Sequence, residues 1–121
     1  MADDLTDAQH DALADKLHAL EAALEAQLGS ATGDGRPVAL DTAFGRVSRV
    51  DAIQQQQMVK ATRHRAQGRL IQVRAALDRV AAGDYGDCAR CGDPIGFGRL
   101  DARPETPLCV GCQGEAEARR R

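Results

Sequence analysis

Large aromatic side chains are almost missing from this sequence. Its 121 residues include no tryptophan, one tyrosine and two phenylalanines, and alanine dominates the apolar residues. A conventional globular core, which buries large side chains, is therefore not expected. Because alanine, leucine, glutamine, arginine and glutamate favour helices, the composition predicts long helices that meet along a narrow seam.

Long hydrophobic runs are missing as well. No stretch approaches the roughly 20 apolar residues that a membrane-spanning helix requires. The acidic start "MADDLTDAQH" also lacks the basic and then apolar segments of a secretion signal. We therefore expect a soluble, cytoplasmic protein with no membrane contact. In such a reducing compartment, paired cysteines are more often metal ligands or redox groups than structural disulfides.

The charges are divided between two segments, although the net charge is only −2. Residues 1–44 carry nine acidic and two basic residues, whereas residues 45–82 carry eight basic and two acidic ones. The two segments could lie side by side, or the basic one could bind nucleic acid. We favour the first interpretation, because acidic groups are available opposite and no aromatic residues interleave for base stacking.

Residues 1–82 are predicted to form an antiparallel helical hairpin, or coiled coil. Thr6 to Gln9 matches a capping box, which predicts a first helix from about residue 6 to 28, and Gly29 is a plausible stop. The glycine-rich residues 29–47 are expected to be the loop at the tip. The first helix carries one stripe of leucines, namely Leu13, Leu17, Leu20, Leu24 and Leu28.

The second helix is expected from about residue 48 to 82, with one row of residues that could face that leucine stripe and another that could face the cysteines. Small residues recur every seven positions and would offer shallow holes for leucine side chains: Ala61, Gly68, Ala75 and Ala82. A more apolar stripe near the end of the helix is expected to face the cysteines: Leu70, Val73, Leu77 and Val80.

Residues 83–121 contain all four cysteines, in two C-x2-C pairs separated by 17 residues: Cys88, Cys91, Cys109 and Cys112. Each pair directs two thiolates at one point, and two pairs supply the corners of a tetrahedron that suits Zn²⁺. The spacing therefore predicts a small zinc-finger module with one structural zinc, followed by a short C-terminal helix. Ile95, Phe97, Leu100 and Leu108 are expected to pack beside the metal.

Other interpretations of the cysteines are weaker. A dithiol switch usually has one C-x2-C motif near a βαβ pattern, which this sequence lacks, while an iron–sulfur cluster would also accept four thiolates.

Four protein ligands leave no open position for a reacting water, and none of the three histidines has ligand spacing to a cysteine or carboxylate. The protein is therefore predicted not to be an enzyme.

The stretch "GDYGDCARCGDPIGFGRLDARPETPLCVGC" resembles the DksA/TraR family of bacterial transcription regulators. The family pattern runs through Tyr85-Gly86, the cysteines, Ile95-Gly96, Arg99-Leu100 and Ala102-Arg103-Pro104. The resemblance implies a zinc globule from which an antiparallel coiled coil projects. It also implies a protein that binds RNA polymerase at its secondary channel and modulates initiation, without sequence-specific binding to DNA. We expect the protein to be a monomer.

The resemblance also suggests which residues contact the polymerase. Arg65 and Arg69 match basic helix positions of the family, and Arg103 matches an arginine near the zinc. The acidic tip motif of better-known members is replaced by "GRVSRV", so Arg46, Ser48 and Arg49 are expected to lie deepest in the channel. The tip is therefore predicted to be basic.

The family likeness raises guanosine tetraphosphate as a ligand, but Gln72 and Gln113 replace basic residues usual in the family. A response to this alarmone does not follow from the resemblance. Two other functions stay open: a zinc protein that binds DNA through the basic second helix, and a redox sensor that releases zinc when its thiols are oxidised.

Overall fold

A computed structural model describes residues 3–33 and 49–120, with side chains for residues 3–29 and 50–120. These ranges contain four helices, α1 (Asp7–Gly33), α2 (Arg49–Ala82), α3 (Phe97–Ala102) and α4 (Val110–Arg119). The predicted mainly helical fold, a hairpin with a small cysteine module and a C-terminal helix, is confirmed. No helix in the described part of the chain is both long and apolar enough to cross a bilayer.

Helix α1 begins with the predicted capping box. The backbone N–H of Gln9 donates to Oγ1 of Thr6 at 3.1 Å, and the backbone N–H of Thr6 donates to Oε1 of Gln9 at 3.0 Å. These two bonds satisfy backbone donors that have no partner within the helix. Asp7 adds a negative charge in the first turn, where the helix dipole favours it.

The predicted end of α1 is wrong. The helix continues through Gly29 to Gly33, so the first five residues of the expected loop at 29–47 are helical. A glycine ends a helix efficiently when it adopts a positive φ. Among the described glycines only Gly83, Gly86, Gly92 and Gly96 do so. Gly29 therefore keeps a helical conformation.

Helices α1 and α2 pack antiparallel. Leu28 near the end of α1 lies beside Met58 and Val59 in the first half of α2, while the ring of His10 near the start of α1 meets Tyr85, which follows α2. The leucine stripe lies at the seam as predicted, because Leu13, Leu17 and Leu24 are buried and Leu20 and Leu28 are partly buried against the same cluster.

The row of small residues in α2 does not face α1. Ala61, Gly68, Ala75 and Ala82 are all exposed, so that expectation is wrong. The seam contains Ala66, Leu70, Val73 and Ala76 instead, with Leu77 and Val80 partly buried beside them. Ala66 and Val73 each lie two residues before a member of the small row, which places the two rows about 200° apart around the helix.

Replacing Gly68 with alanine is expected to stabilise the protein by about 1 kcal/mol, because glycine costs this much in a helix interior. A Cβ at this position would meet no atom within 4 Å. Gly83 also has open space but adopts a φ of +84°, so Gly83→Ala is expected to destabilise. Urea unfolding of both variants checks this. If Gly68→Ala is less stable than the wild-type protein, Gly68 must lie in close contact with another part of the chain, and the prediction is wrong.

Within the described residues, ion pairs connect α1 to α2 and to α3. Arg74 of α2 reaches Glu25 at 2.9 Å and Glu21 at 3.5 Å on α1. Lys16 of α1 pairs with Asp101 of α3 at 2.7 Å. These groups are largely exposed, and such pairs contribute little to stability. The pairs of Arg74 agree with the side-by-side arrangement of the acidic and basic segments.

Candidate metal centre and the adjacent arginine cleft

The first cysteine pair lies in a tight turn between the two sides of a short bridge. The backbone N–H of Cys88 donates to the carbonyl of Asp93 at 2.8 Å, and that of Ile95 donates to Gly86 at 2.9 Å. Gly92 closes the turn with a φ of +80°, which residues with a Cβ rarely adopt. The turn therefore presents Cys88 and Cys91 on the same side.

The second pair uses a helix start for the same purpose. Cys109 is the N-cap of α4, and its Sγ accepts a hydrogen bond from the backbone N–H of Cys112 at 3.4 Å. Cys112 is the third residue of α4, in its first turn. The cap therefore fixes the direction of both side chains before any metal is considered.

The four sulfurs converge. The Sγ atoms of Cys88, Cys91, Cys109 and Cys112 all lie within 4.8 Å of one another, and those of Cys91 and Cys109 are 3.8 Å apart. Tetrahedral Zn²⁺ with Zn–S bonds of about 2.3 Å requires sulfur separations of about 3.8 Å. The donor set and its spacing therefore fit one zinc ion with four protein ligands and no open position.

Backbone hydrogen bonds prepare Cys88 to be a thiolate. Burial would raise the pKa of Cys88, but N–H groups including those of Cys91 and Arg90 outweigh it and lower this pKa to about 6. The neighbouring Cys109 sulfur and burial raise the pKa of Cys112 to about 12. Since metal-bound cysteines are thiolates, zinc binding must release protons from this cluster.

A small apolar cluster supports the metal centre. Ile95 and Leu100 are buried there, with Phe97 and Leu108 partly buried against the same core, as predicted. The chain before α1 also contributes, because a Cβ added to Gly86 would lie 3.0 Å from Cδ1 of Leu5. The metal centre is therefore packed against the base of the helical hairpin.

A cleft of about 560 Å³ lies between α2 and the end of α3. Its lining residues, which define the arginine cleft, are Arg65, Gly68, Arg69, Gln72 and Arg103. The structure thus brings together Arg65, Arg69 and Arg103, three of the five arginines that the family resemblance assigned to partner binding. Arg46 and Ser48 lie outside the described residues, and of Arg49 only the backbone at the start of α2 is described.

One buried acidic residue beside this cleft was missed in the sequence. The side chain of Glu105 is 0% exposed and pairs with Arg69 and Arg103. Next to it, the Tyr85 hydroxyl donates to the carbonyl of Pro104 at 2.8 Å. Burial, with a contribution from the Glu105 charge, raises the pKa of Tyr85 to about 12. Glu105 follows a proline in an irregular segment, where no periodicity signals burial.

Comparisons with known proteins agree with this geometry. The model for the prokaryotic dksA/traR C4-type zinc finger matches residues 83–118. The structure of transcription factor DksA2 from Pseudomonas aeruginosa superimposes with a TM-score of 0.71 at 30% sequence identity, over 94% of this chain and 87% of that one. The chain belongs to the DksA/TraR family.

Curated relatives of this DksA/TraR protein match over shorter segments. The protein named RNA polymerase-binding transcription factor DksA of Caulobacter vibrioides is 42% identical over 60 residues, which are 50% of this chain and 42% of that protein. Its namesake in Haemophilus influenzae is 43% identical over 47 residues, or 39% and 32% of the two chains. The chain thus aligns with less than half the length of these relatives.

The family assignment confirms two predictions. A C4-type zinc finger with four clustered cysteines holds one structural zinc. The relatives are named transcription factors, which agrees with the prediction of a non-enzymatic protein.

Proposed function

We propose that this protein is a non-enzymatic regulator that binds bacterial RNA polymerase and modulates initiation. The observation that carries the proposal is the arginine cleft, formed where the hairpin meets the zinc module, in a chain that superimposes on a DksA2 structure over 94% of its length. The names of the curated relatives support the choice of partner.

The shape of the described part favours a narrow cavity as the docking site on the polymerase. Helix α2 has 34 residues and is about 50 Å long, far longer than the zinc module needs for packing. We propose that the hairpin enters the secondary channel while the arginine cleft rests at its rim. In this arrangement Arg46, Ser48 and Arg49 at the tip contact nucleic-acid phosphates or acidic groups of the polymerase.

Purified bacterial polymerase provides the test of this proposal. The wild-type protein is expected to bind and to compete with a Gre protein for the secondary channel. The variant Arg65→Ala, which removes one charge from the cleft and leaves the arginines paired with the buried Glu105 in place, is expected to bind about tenfold more weakly, a loss of about 1.4 kcal/mol. Fluorescence anisotropy of labelled protein measures both effects.

Arg74→Ala is the matched control. It removes a positive charge from the same helix, but Arg74 pairs with Glu21 and Glu25 and does not line the cleft. Wild-type protein that fails to bind the polymerase, or fails to compete with the Gre protein, contradicts the proposal. Tight duplex-DNA binding with a steep salt dependence would favour a DNA-binding protein instead.

Guanosine tetraphosphate is not part of the proposed function. Gln72 lines the arginine cleft, and both Gln72 and Gln113 lack the positive charge usual at these positions in the family. The effect of the alarmone on binding can be measured in the same anisotropy experiment.

A further inference from the structure

Glu105 lies between two arginines that come from different parts of the fold. Its Oε2 accepts a hydrogen bond from Nε of Arg69 at 2.9 Å, and Nε of Arg103 lies 3.5 Å from the same oxygen. Arg69 belongs to the middle of α2, whereas Arg103 is the C-cap of α3. One carboxylate therefore connects the hairpin to the zinc module.

The exposed fraction of the side chain increases from Glu105 to Arg69 and then to Arg103. The Glu105 side chain is 0% exposed, while those of Arg69 and Arg103 are 41% and 67% exposed. Burying a carboxylate is costly unless opposite charge and hydrogen bonds compensate it. Both of these contacts use the Nε atom of the arginine. Both arginines also line the arginine cleft.

The turn that carries Glu105 is itself held on several sides. The backbone N–H of Thr106 donates to the carbonyl of Arg103 at 3.1 Å, and the Tyr85 hydroxyl holds the carbonyl of Pro104. The guanidinium of Arg99 donates to the carbonyl of Leu108 at 3.0 Å. The carboxylate therefore belongs to a turn that hydrogen bonds hold in place. A residue that orients other side chains requires such support.

We propose that Glu105 is a positioning residue. Acting through Arg69 and Arg103, it ties α2 to the zinc module and orients both guanidinium groups in the arginine cleft. The role of Glu105 in orienting the two arginines does not depend on any binding partner. Its expected effect on the affinity for RNA polymerase rests on the proposed function.

The variant Glu105→Gln tests the proposal, because it keeps the size of the side chain and removes its charge. In nuclear magnetic resonance spectra the Nε–H signal of Arg69 is expected to move away from its ion-paired position. Residual dipolar couplings are expected to show that α2 and the segment 84–112 no longer share one fixed orientation. Polymerase binding is expected to weaken about tenfold, while one zinc per chain is retained.

Two further variants separate positioning from general stability. Asp101→Asn breaks the exposed pair with Lys16 and is expected to change neither the couplings nor the Arg69 signal. The double variant Arg69→Met/Glu105→Met removes the buried charge together with its partner, so it is expected to fold but to lose the fixed orientation.

Wild-type couplings and an unchanged Arg69 signal in Glu105→Gln would overturn the proposal. The same holds if the folded methionine double variant keeps the wild-type orientation. If the wild-type protein does not bind polymerase, the proposed function fails, whereas the spectra still decide whether Glu105 orients the two modules.

Discussion

Replacing Cys112 with serine is expected to abolish stoichiometric zinc binding and to unfold the module between Tyr85 and Cys112. A serine hydroxyl is not a zinc ligand of the kind that structural sites use. Zinc binding supplies on the order of 10 kcal/mol in small fingers. Tyr85, Ile95 and Leu100 are large side chains buried in this module. They cannot replace a contribution of that size, because burying each one is worth only about 3 kcal/mol or less.

Metal analysis after dialysis against a chelator measures the zinc content of Cys112→Ser, and the amide spectrum of residues 84–112 reports the fold. The helical signal of α1 and α2 is expected to survive largely, because their seam leucines lie outside the module. Val110→Ser is the control, since Val110 is 69% exposed in the first turn of the same helix. A Cys112→Ser protein with one tightly held zinc and a folded module would contradict the structural role of the metal.

Leu17→Ala is expected to destabilise the hairpin by about 3 kcal/mol, from the lost burial of the side chain and the cavity left behind. Leu17 is 0% exposed at the seam between α1 and α2, together with Val73. The protein has few large apolar residues to fill such a space, so little compensating movement is available. Urea unfolding followed by circular dichroism measures the free energy of unfolding.

The control for this variant is Ile71→Ala, because Ile71 is a large apolar residue of α2 that is 68% exposed. Its effect is expected to stay within about 0.5 kcal/mol, as for most surface substitutions. If Leu17→Ala and Ile71→Ala lower the free energy of unfolding equally, the contact between α1 and α2 is not where the structure places it. Both proteins should keep one zinc, because neither residue touches the cysteines.

Several features could be predicted from the sequence because they depend on interactions between residues close together in the chain. The capping box depends on two side chains three residues apart, and both of its bonds form as expected. The leucine stripe follows from helical periodicity alone. The four cysteines needed only their spacing, because each C-x2-C pair is built within one turn or one helix start.

Other features required the folded chain. A seven-residue row of small side chains cannot show by itself which side of a helix meets a partner. Burying Leu70 and Val73 removes more apolar surface from water than burying the small residues would. The row that contains Gly68 is therefore exposed. Gly29 could end a helix or continue it, and its φ is not encoded by its own identity.

The sequence by itself determined which segments are helical, the leucines of α1 at the seam and the zinc ligands, because these depend on residues close together in the chain. Only the tertiary structure decided the pairing of Glu105 with Arg69, 36 residues away, and with Arg103. Placing one carboxylate between two cations depends on how the zinc module docks on α2. That docking results from burial and charge compensation over the whole fold.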